Sequence, residues 1–148
     1  PASAETARRE VLAAATAALA AGKNVVVHSA QGPDDPRIAQ AEAAWQRVSP
    51  AGEGPGRAIG EELGKLARAI LERSRLERMI LAGGDTSGHG ARRLGIEALE
   101  MITPAAPGSP LCRASSRDAR VDGLEIVLKG GQVGKEDFFE EVRTGRFS

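Results

Sequence analysis

The sequence predicts a single α/β domain in which helices flank a mixed, largely parallel sheet. Three observations predict this class. Short apolar runs at residues 25–27, 79–82 and 124–128 alternate with longer segments of helical periodicity. The last two runs end at a pair of glycines followed by polar residues, as turns between a strand and a helix often do. The length of 148 residues suits one domain with its own core.

The first half of the chain carries three helical patterns and one strand. Apolar residues recur at intervals of three and four over residues 4–21, 38–48 and 57–75. The stripe of the second of these helices includes Trp45, which we expect in the core. Residues 25–27 are three valines without polar alternation, which predicts a buried strand parallel to its neighbours.

The second half is predicted to alternate strands with short helices. In chain order these are strand 78–82, helix 87–94 ending at Gly95, strand 98–103, an antiparallel pair of strands 111–114 and 124–128, and helix 135–144. Three prolines within residues 104–110 predict an ordered loop. In the last helix we expect Phe138, Phe139 and Val142 to face the core.

The overall charge and composition exclude several classes of function. The formal net charge is zero, so no basic field favours nucleic acid or an anionic membrane. Aromatic residues make up 3% and Tyr is absent, which argues against base-stacking platforms. The apolar runs are far shorter than a membrane span. A single Cys112 fits a reducing compartment, so we expect a cytoplasmic protein in which this thiol is a small buried apolar group.

The stretch from Gly83 to Ser87, here called the first glycine turn, is the strongest candidate site. Gly83 and Gly84 permit close approach of the backbone to a phosphate, and Thr86 and Ser87 add donors. A helix starting nearby would direct its N–H groups and partial positive charge at such an anion. The alternative is a tight turn in which Asp85, Thr86 or Ser87 caps the helix.

Residues 129–134, here called the second glycine turn, repeat the plan after the strand at 124–128. They resemble a Walker loop by composition only, since Glu136 stands where the hydroxyl should be. Neither turn matches the dinucleotide fingerprint. Because parallel strands end at one edge of a sheet, Gly130 and Gly131 are expected to share one phosphate site with the first glycine turn. Lys129 or a nearby lysine could add a point charge.

Other reactive side chains have simpler interpretations. Asp85, Ser87 and His89 are the right types for a nucleophilic triad but lie too close together in sequence, so the start of a helix is favoured. His28 and His89 lack a metal-ligand pattern. No catalytic residue and no metal ligand is assigned.

An ordered set of motifs resembles the C-terminal nucleotide-binding domain of the four-carbon acid sugar kinases, formerly domain of unknown function 1537. The resemblance covers roughly residues 8–145. The motifs are Gly83-Gly84-Asp85-Thr86-Ser87, Leu94-Gly95, Pro107-Gly108-Ser109-Pro110 and Leu128-Lys129-Gly130-Gly131-Gln132-Val133-Gly134.

The resemblance implies ATP and Mg²⁺ as cofactors, with the nucleotide bound by Gly83, Gly84, Asp85 and Thr86 and by the glycine pair 130–131. It implies phosphorylation of an erythronate or threonate type of sugar acid. Residues 1–148 would be most of the nucleotide domain. The family's N-terminal substrate domain, with its catalytic Asp, and the strand that opens the nucleotide domain are not in this sequence. We therefore expect the chain alone to be inactive, with that substrate domain as its partner and a homodimer as a further option.

Two other functions stay open. The chain could be an interaction or effector-like module without enzymatic activity, which loss of nucleotide binding with a retained fold would favour. It could also bind another phosphorylated ligand through the same turns, which a site without room for adenine would favour.

Overall fold

The architecture was examined in a computed structural model that describes residues 4–49, 54–131 and 133–147. The described residues form five helices and four strands. In chain order these are α1 (Ala4–Ala20), α2 (Pro36–Val48), α3 (Gly56–Arg73), β1 (Arg78–Ala82), α4 (Gly84–Leu94), β2 (Ala98–Ala106), β3 (Ser109–Ser115), β4 (Glu125–Lys129) and α5 (Phe138–Thr144). No helix among these residues is both long and apolar enough to cross a membrane.

The strands form one mixed sheet in the order β1-β4-β3-β2. β1 and β4 are parallel, with Ile80 beside Val127, and β3 is antiparallel to both β4 and β2. The predicted α/β class is confirmed, as is the antiparallel pairing of the strands predicted at 111–114 and 124–128. The parallel pair brings the carboxyl ends of β1 and β4 to one edge, which is the edge that carries both glycine turns.

Each face of the sheet has its own core. One face packs against α3 and α4 through a cluster that includes Leu71, Leu94 and Ile126. The other face packs against α5 through Phe138 and Val142, which meet Leu111 and Val127. Cys112 lies in the first cluster at 8% exposure, and burial raises the pKa of its thiol, so the predicted small apolar role is confirmed. A third cluster joins α1 to the outer side of α3.

Helices α3 and α4 lie side by side and run in the same direction. A Cβ added at Gly60 would lie 3.2 Å from the Thr86 Cα atom. One turn later, a Cβ added at Gly64 would lie 3.0 Å from the Arg93 side chain and 3.4 Å from the Gly90 Cα atom. The two glycines therefore let α4 approach α3 more closely than a side chain would allow. Because the helices are parallel, their N-termini lie at the same edge of the sheet.

The predicted strand at residues 25–27 is wrong. These residues form no strand, and Val26 is 70% exposed. Val25 and Val27 are half-buried against the cluster between α1 and α3. The segment packs on helices and not on a sheet. Burial of Val25 and Val27 on one side leaves Val26 exposed.

Two expected core residues are more exposed than predicted. Trp45 is only half-buried, and α2 contains no buried residue. Phe139 is 48% exposed, whereas its neighbour Phe138 is 1% exposed. Consecutive residues on a helix point about 100° apart, so a single apolar face cannot bury both phenylalanines.

The proline-rich loop predicted at residues 104–110 is shorter in the structure. β2 continues through Pro104 to Ala106, and β3 starts at Ser109. β2 is an edge strand with irregular register after Met101, and an edge tolerates a proline because no ladder hydrogen bond is lost on its open side.

Candidate functional site

The two glycine turns are neighbours, as predicted. Ala82 and Lys129 are the last partners in the parallel register of β1 and β4. One residue beyond, the backbone N–H of Gly83 donates a hydrogen bond of 2.9 Å to the Lys129 carbonyl. The first glycine turn thus leaves the sheet beside the second, and both lie at the carboxyl edge of the parallel pair β1 and β4.

The first glycine turn leads directly into α4. The helix starts at Gly84, three residues earlier than predicted, and Gly83 is its N-cap residue with φ of 114°. Gly83 makes no side-chain capping bond, so the predicted cap at Asp85, Thr86 or Ser87 is wrong. The Ser87 hydroxyl instead donates to the Gly84 carbonyl at 3.0 Å.

The start of α4 is therefore built to hold an anion. The first N–H groups of a helix have no intrahelical acceptor, and no side chain that the structure describes caps those of α4. The exposed Gly84 and the half-buried Thr86 lie in this first turn, and the Thr86 side chain leans over Gly83. Asp85 is also in the first turn, and its side chain lies outside what the structure describes. Backbone donors with a partial positive charge match the requirement of a phosphate group.

Helix α3 adds to the positive character of this edge, which the sequence prediction missed. Its N-terminus at Gly56 lies at the same edge because α3 and α4 are parallel. Nearby, Arg57 donates to Glu61 at 3.3 Å, and Arg93 lies 3.6 Å from the same carboxylate. The hydrogen bond from Arg57, together with the charges of Arg93 and His89, lowers the pKa of Glu61. The negative charge of Glu61 is thus offset by Arg57 and Arg93. The spacing of Gly60 and Gly64 was the signal that could have revealed the close helix pair.

The second glycine turn has a different construction. The Lys129 ammonium donates to the carbonyls of Gly130 and Gly131, each at 3.1 Å, and lies 5.6 Å from the centre of the Phe138 ring. Lys129 itself is 9% exposed. The helix predicted to start at residue 135 starts at Phe138 and has seven residues. The second turn therefore contributes loop backbone and a lysine, without the N-terminus of a long helix.

A third loop reaches the same edge. β3 is antiparallel to β4, so the turn between β2 and β3 lies beside the carboxyl end of β4. This turn contains Gly108, with φ of 71°, and leads to Ser109, which is fully buried. The Ser109 hydroxyl has no hydrogen-bond partner among the described residues.

The structure thus brings together the four glycines that were predicted to form the phosphate site. Gly83 and Gly84 lie on one side of the Gly83–Lys129 hydrogen bond, and Gly130 and Gly131 lie on the other. The arrangement can hold an anionic group by backbone N–H groups from one side and place a lysine on the other.

Comparison with known proteins agrees with this geometry. The family model described as the nucleotide-binding C-terminal domain matches residues 1–139. The chain is 46% identical over 138 residues to 3-oxo-isoapionate kinase of Paraburkholderia graminis, in an alignment that covers 93% of this chain and 29% of that kinase. It is 34% identical over 138 residues to 3-oxo-tetronate kinase of Cupriavidus necator, again with 29% of the kinase and 92% of this chain covered.

A solved structure shows the same relationship. A Haemophilus influenzae protein of the family called domain of unknown function 1537 superimposes with a TM-score of 0.55 at 30% identity, over 74% of this chain and 24% of its own. The chain spans less than a third of the length of these relatives. The match over residues 1–139 shows that the chain belongs to the nucleotide-binding C-terminal domain family.

Proposed function

We propose that this chain is the ATP-binding part of a kinase that phosphorylates a four-carbon acid sugar of the erythronate or threonate type. The observation that carries the proposal is the start of α4 at Gly84, which none of the described side chains caps and which lies beside a second glycine turn. Gly84, Asp85 and Thr86 would bind the phosphates through backbone N–H groups, Gly83 would let the backbone come close, and Gly130 and Gly131 would lie on the opposite side. Asp85, by its position in the first turn, would help to hold Mg²⁺, which would neutralise part of the charge on the phosphates.

The phosphoryl-transfer reaction explains why such a site suffices for the donor. Kinases act mainly by holding the donor in line with the acceptor and by neutralising the charge of the transferred group. The helix end and Lys129 supply donors and positive charge at this edge. The names of the relatives, a 3-oxo-tetronate kinase and a 3-oxo-isoapionate kinase, support a sugar acid as the acceptor.

The acceptor and its catalytic base belong to the remainder of a longer kinase in this proposal. Alignments that cover 29% of each kinase relative support a separate substrate domain as the partner. A cytoplasmic location and a homodimer stay predictions. The chain alone should transfer no phosphate from ATP to a four-carbon sugar acid, and turnover at rates typical of kinases, about 1–100 per second, would contradict this.

The test compares two glycines one turn apart on α4. A Cβ added at Gly84 or at Gly88 meets nothing within 4 Å, so Ala at either position fits the fold and should slightly raise stability. If the phosphates approach the backbone at Gly84, Gly84→Ala lowers the affinity for MgATP by about tenfold or more, whereas Gly88→Ala leaves it unchanged. Isothermal titration calorimetry measures both.

Each outcome selects among the functions. Absence of MgATP binding by the folded parent chain favours an interaction module. Binding of tripolyphosphate with no added affinity from the adenosine part of ATP favours another phosphorylated ligand. Equal MgATP affinity in Gly84→Ala and Gly88→Ala removes the first glycine turn from the site.

A further inference from the structure

The fully buried Ser109 hydroxyl is an exception to a general rule of protein structure. Buried polar groups nearly always have hydrogen-bond partners, because an unpaired hydroxyl away from water costs stability. Ser109 is 0% exposed, and its Oγ atom has no partner in the part of the chain that the structure describes. An alanine would fill almost the same space without this cost, so the hydroxyl calls for a functional explanation.

The strand register points Ser109 and Lys129 toward each other. Leu111 pairs with Val127 in the antiparallel ladder of β3 and β4. Continued by two residues toward the carboxyl edge of β4, this register would set Ser109 opposite Lys129, and the alternation of side chains puts both on the face that carries Leu111 and Val127. Side chains directly opposite on one face have Cβ atoms about 5 Å apart, which is within reach of a lysine and a serine.

The two side chains have complementary hydrogen-bonding capacity. An ammonium has three donors, and the carbonyls of Gly130 and Gly131 account for two of those of Lys129. A serine hydroxyl can accept, and that of Ser109 accepts from no described group. A lysine that turns from the loop carbonyls toward an anion keeps its hydrogen bonds only if a new acceptor lies nearby.

We propose that Ser109 is a positioning residue of the phosphate site, which accepts a hydrogen bond from the Lys129 ammonium when that ammonium turns toward a polyphosphate bound at the glycine turns. This inference rests on the proposed function and assigns the turn between β2 and β3 to the same site. In the structure the Lys129 ammonium donates to the carbonyls of Gly130 and Gly131, and the Ser109 hydroxyl has no partner among the described residues. Stability of the free protein is thereby lower than it would be with alanine at this position.

The decisive variant is Ser109→Ala. Loss of an unpaired buried hydroxyl should raise the melting temperature of the ligand-free chain by about 3 °C. Loss of the acceptor should weaken binding of both MgATP and inorganic tripolyphosphate by about tenfold, since charge-assisted hydrogen bonds are the stronger kind. Thermal melts and calorimetry on the full chain measure the two effects, which have opposite signs.

Ser116→Ala is the matched control. The Ser116 hydroxyl donates to the Gly95 carbonyl at 2.8 Å and lies just beyond β3 at the opposite edge of the sheet. Its loss should lower the melting temperature and leave both affinities unchanged.

A double-mutant cycle with Lys129→Met tests whether Ser109 affects binding through Lys129. If Ser109 acts through Lys129, then Ser109→Ala changes neither affinity in the Lys129→Met background. An equal fold-change in both backgrounds, or equal affinity of Ser109→Ala and the parent, overturns the inference while the proposed function stands. A parent chain that binds no MgATP overturns the proposed function as well.

Discussion

The two glycine turns have similar sequences, but the structure builds them in opposite ways. The first turn passes at once into α4, an eleven-residue helix whose N-cap residue, Gly83, makes no side-chain capping bond. The second turn runs from Gly130 to α5 over several residues, and its carbonyls are held by the Lys129 ammonium. The first turn directs backbone N–H groups toward the carboxyl edge of the sheet. In the second turn, the Lys129 ammonium donates hydrogen bonds to the backbone carbonyls.

The difference shows that a pair of glycines after a strand does not define one role. In the first turn, Gly83 has φ of 114°, a conformation that other residues adopt with strain. In the second turn, Gly130 and Gly131 have no positive φ, and the conformational demand falls on Gly134 with φ of 93°. The glycines that shape a turn and those that leave room for a ligand are therefore separable by mutation.

The largest effect is expected from Gly134→Ala. A Cβ at this position would lie 2.8 Å from the buried Phe138 ring, in addition to the strain of a positive φ. We expect a loss of about 3 kcal/mol in the free energy of unfolding. Gly131→Ala is the control, because a Cβ there meets nothing within 4 Å. Urea denaturation of both variants measures the difference, and equal stability would contradict the division of roles within the second turn.

The next largest effect on stability is expected when one glycine of each turn is replaced by valine in separate variants. Gly83→Val combines a positive φ with a Cβ that would lie 3.1 Å from Thr86, so we expect a loss of about 2 kcal/mol in the free energy of unfolding. Gly131→Val should keep its stability and lose affinity for MgATP. Thermal melts followed by calorimetry distinguish the two. A destabilised Gly131→Val would show that both turns are under similar constraint.

A smaller effect on stability is expected from Gly60→Val, which reaches only the first turn. The added side chain would press on the Thr86 backbone at 3.2 Å and on His89 at 3.4 Å. Overpacking of this kind costs about 1–2 kcal/mol. Since α4 is displaced, affinity for MgATP should fall as well, while amide chemical shifts of residues 129–131 stay unchanged. Shifts of equal size in the two turns would mean that they move as one body.

The smallest expected effect is a difference between the two turns in their response to acid. Arg68 forms an ion pair with Asp118 and donates to the Leu94 carbonyl at 3.4 Å, so it supports the C-terminus of α4. The backbone N–H of Arg120 and the charge of Arg68 lower the pKa of Asp118. A lowered pKa stabilises the fold above the ordinary carboxyl range, and this contribution is lost as the pH falls through the folded-state pKa.

Hydrogen exchange measured between pH 6 and pH 3, corrected for the intrinsic rate, should therefore show loss of protection in α4 before residues 129–131. Asp118→Asn should remove the pH dependence of α4. If α4 keeps its pH dependence in this variant, another carboxylate is responsible.

The sequence was informative where local chemistry decides the structure. The shared edge of the two turns follows from apolar runs that lead into glycines, whereas the direct pairing of β1 with β4 is seen only in the structure. The start of α4 was placed three residues late because Asp85, Thr86 and Ser87 are all good capping residues, and local preference alone could not show that Gly83 takes that position.

Other features depend on contacts between distant parts of the chain. Residues 25–27 have strand propensity, yet they pack on helices, and no local pattern distinguishes these outcomes. The complete burial of Ser109 arises only when β3 lies between β2 and β4. The parallel course of α3 and α4 likewise requires their packing through Gly60 and Gly64.

The hydrogen bond between the Gly83 N–H and the Lys129 carbonyl joins the two glycine turns at their base. Adjacent strands are about 4.8 Å apart, and two chains joined at that spacing leave no slot into which a phosphate group could be inserted. A polyphosphate at these turns must therefore lie across the rim of the sheet, with each phosphate resting on one or the other chain. Discrimination between a diphosphate and a triphosphate then depends on the length of rim that the ligand covers.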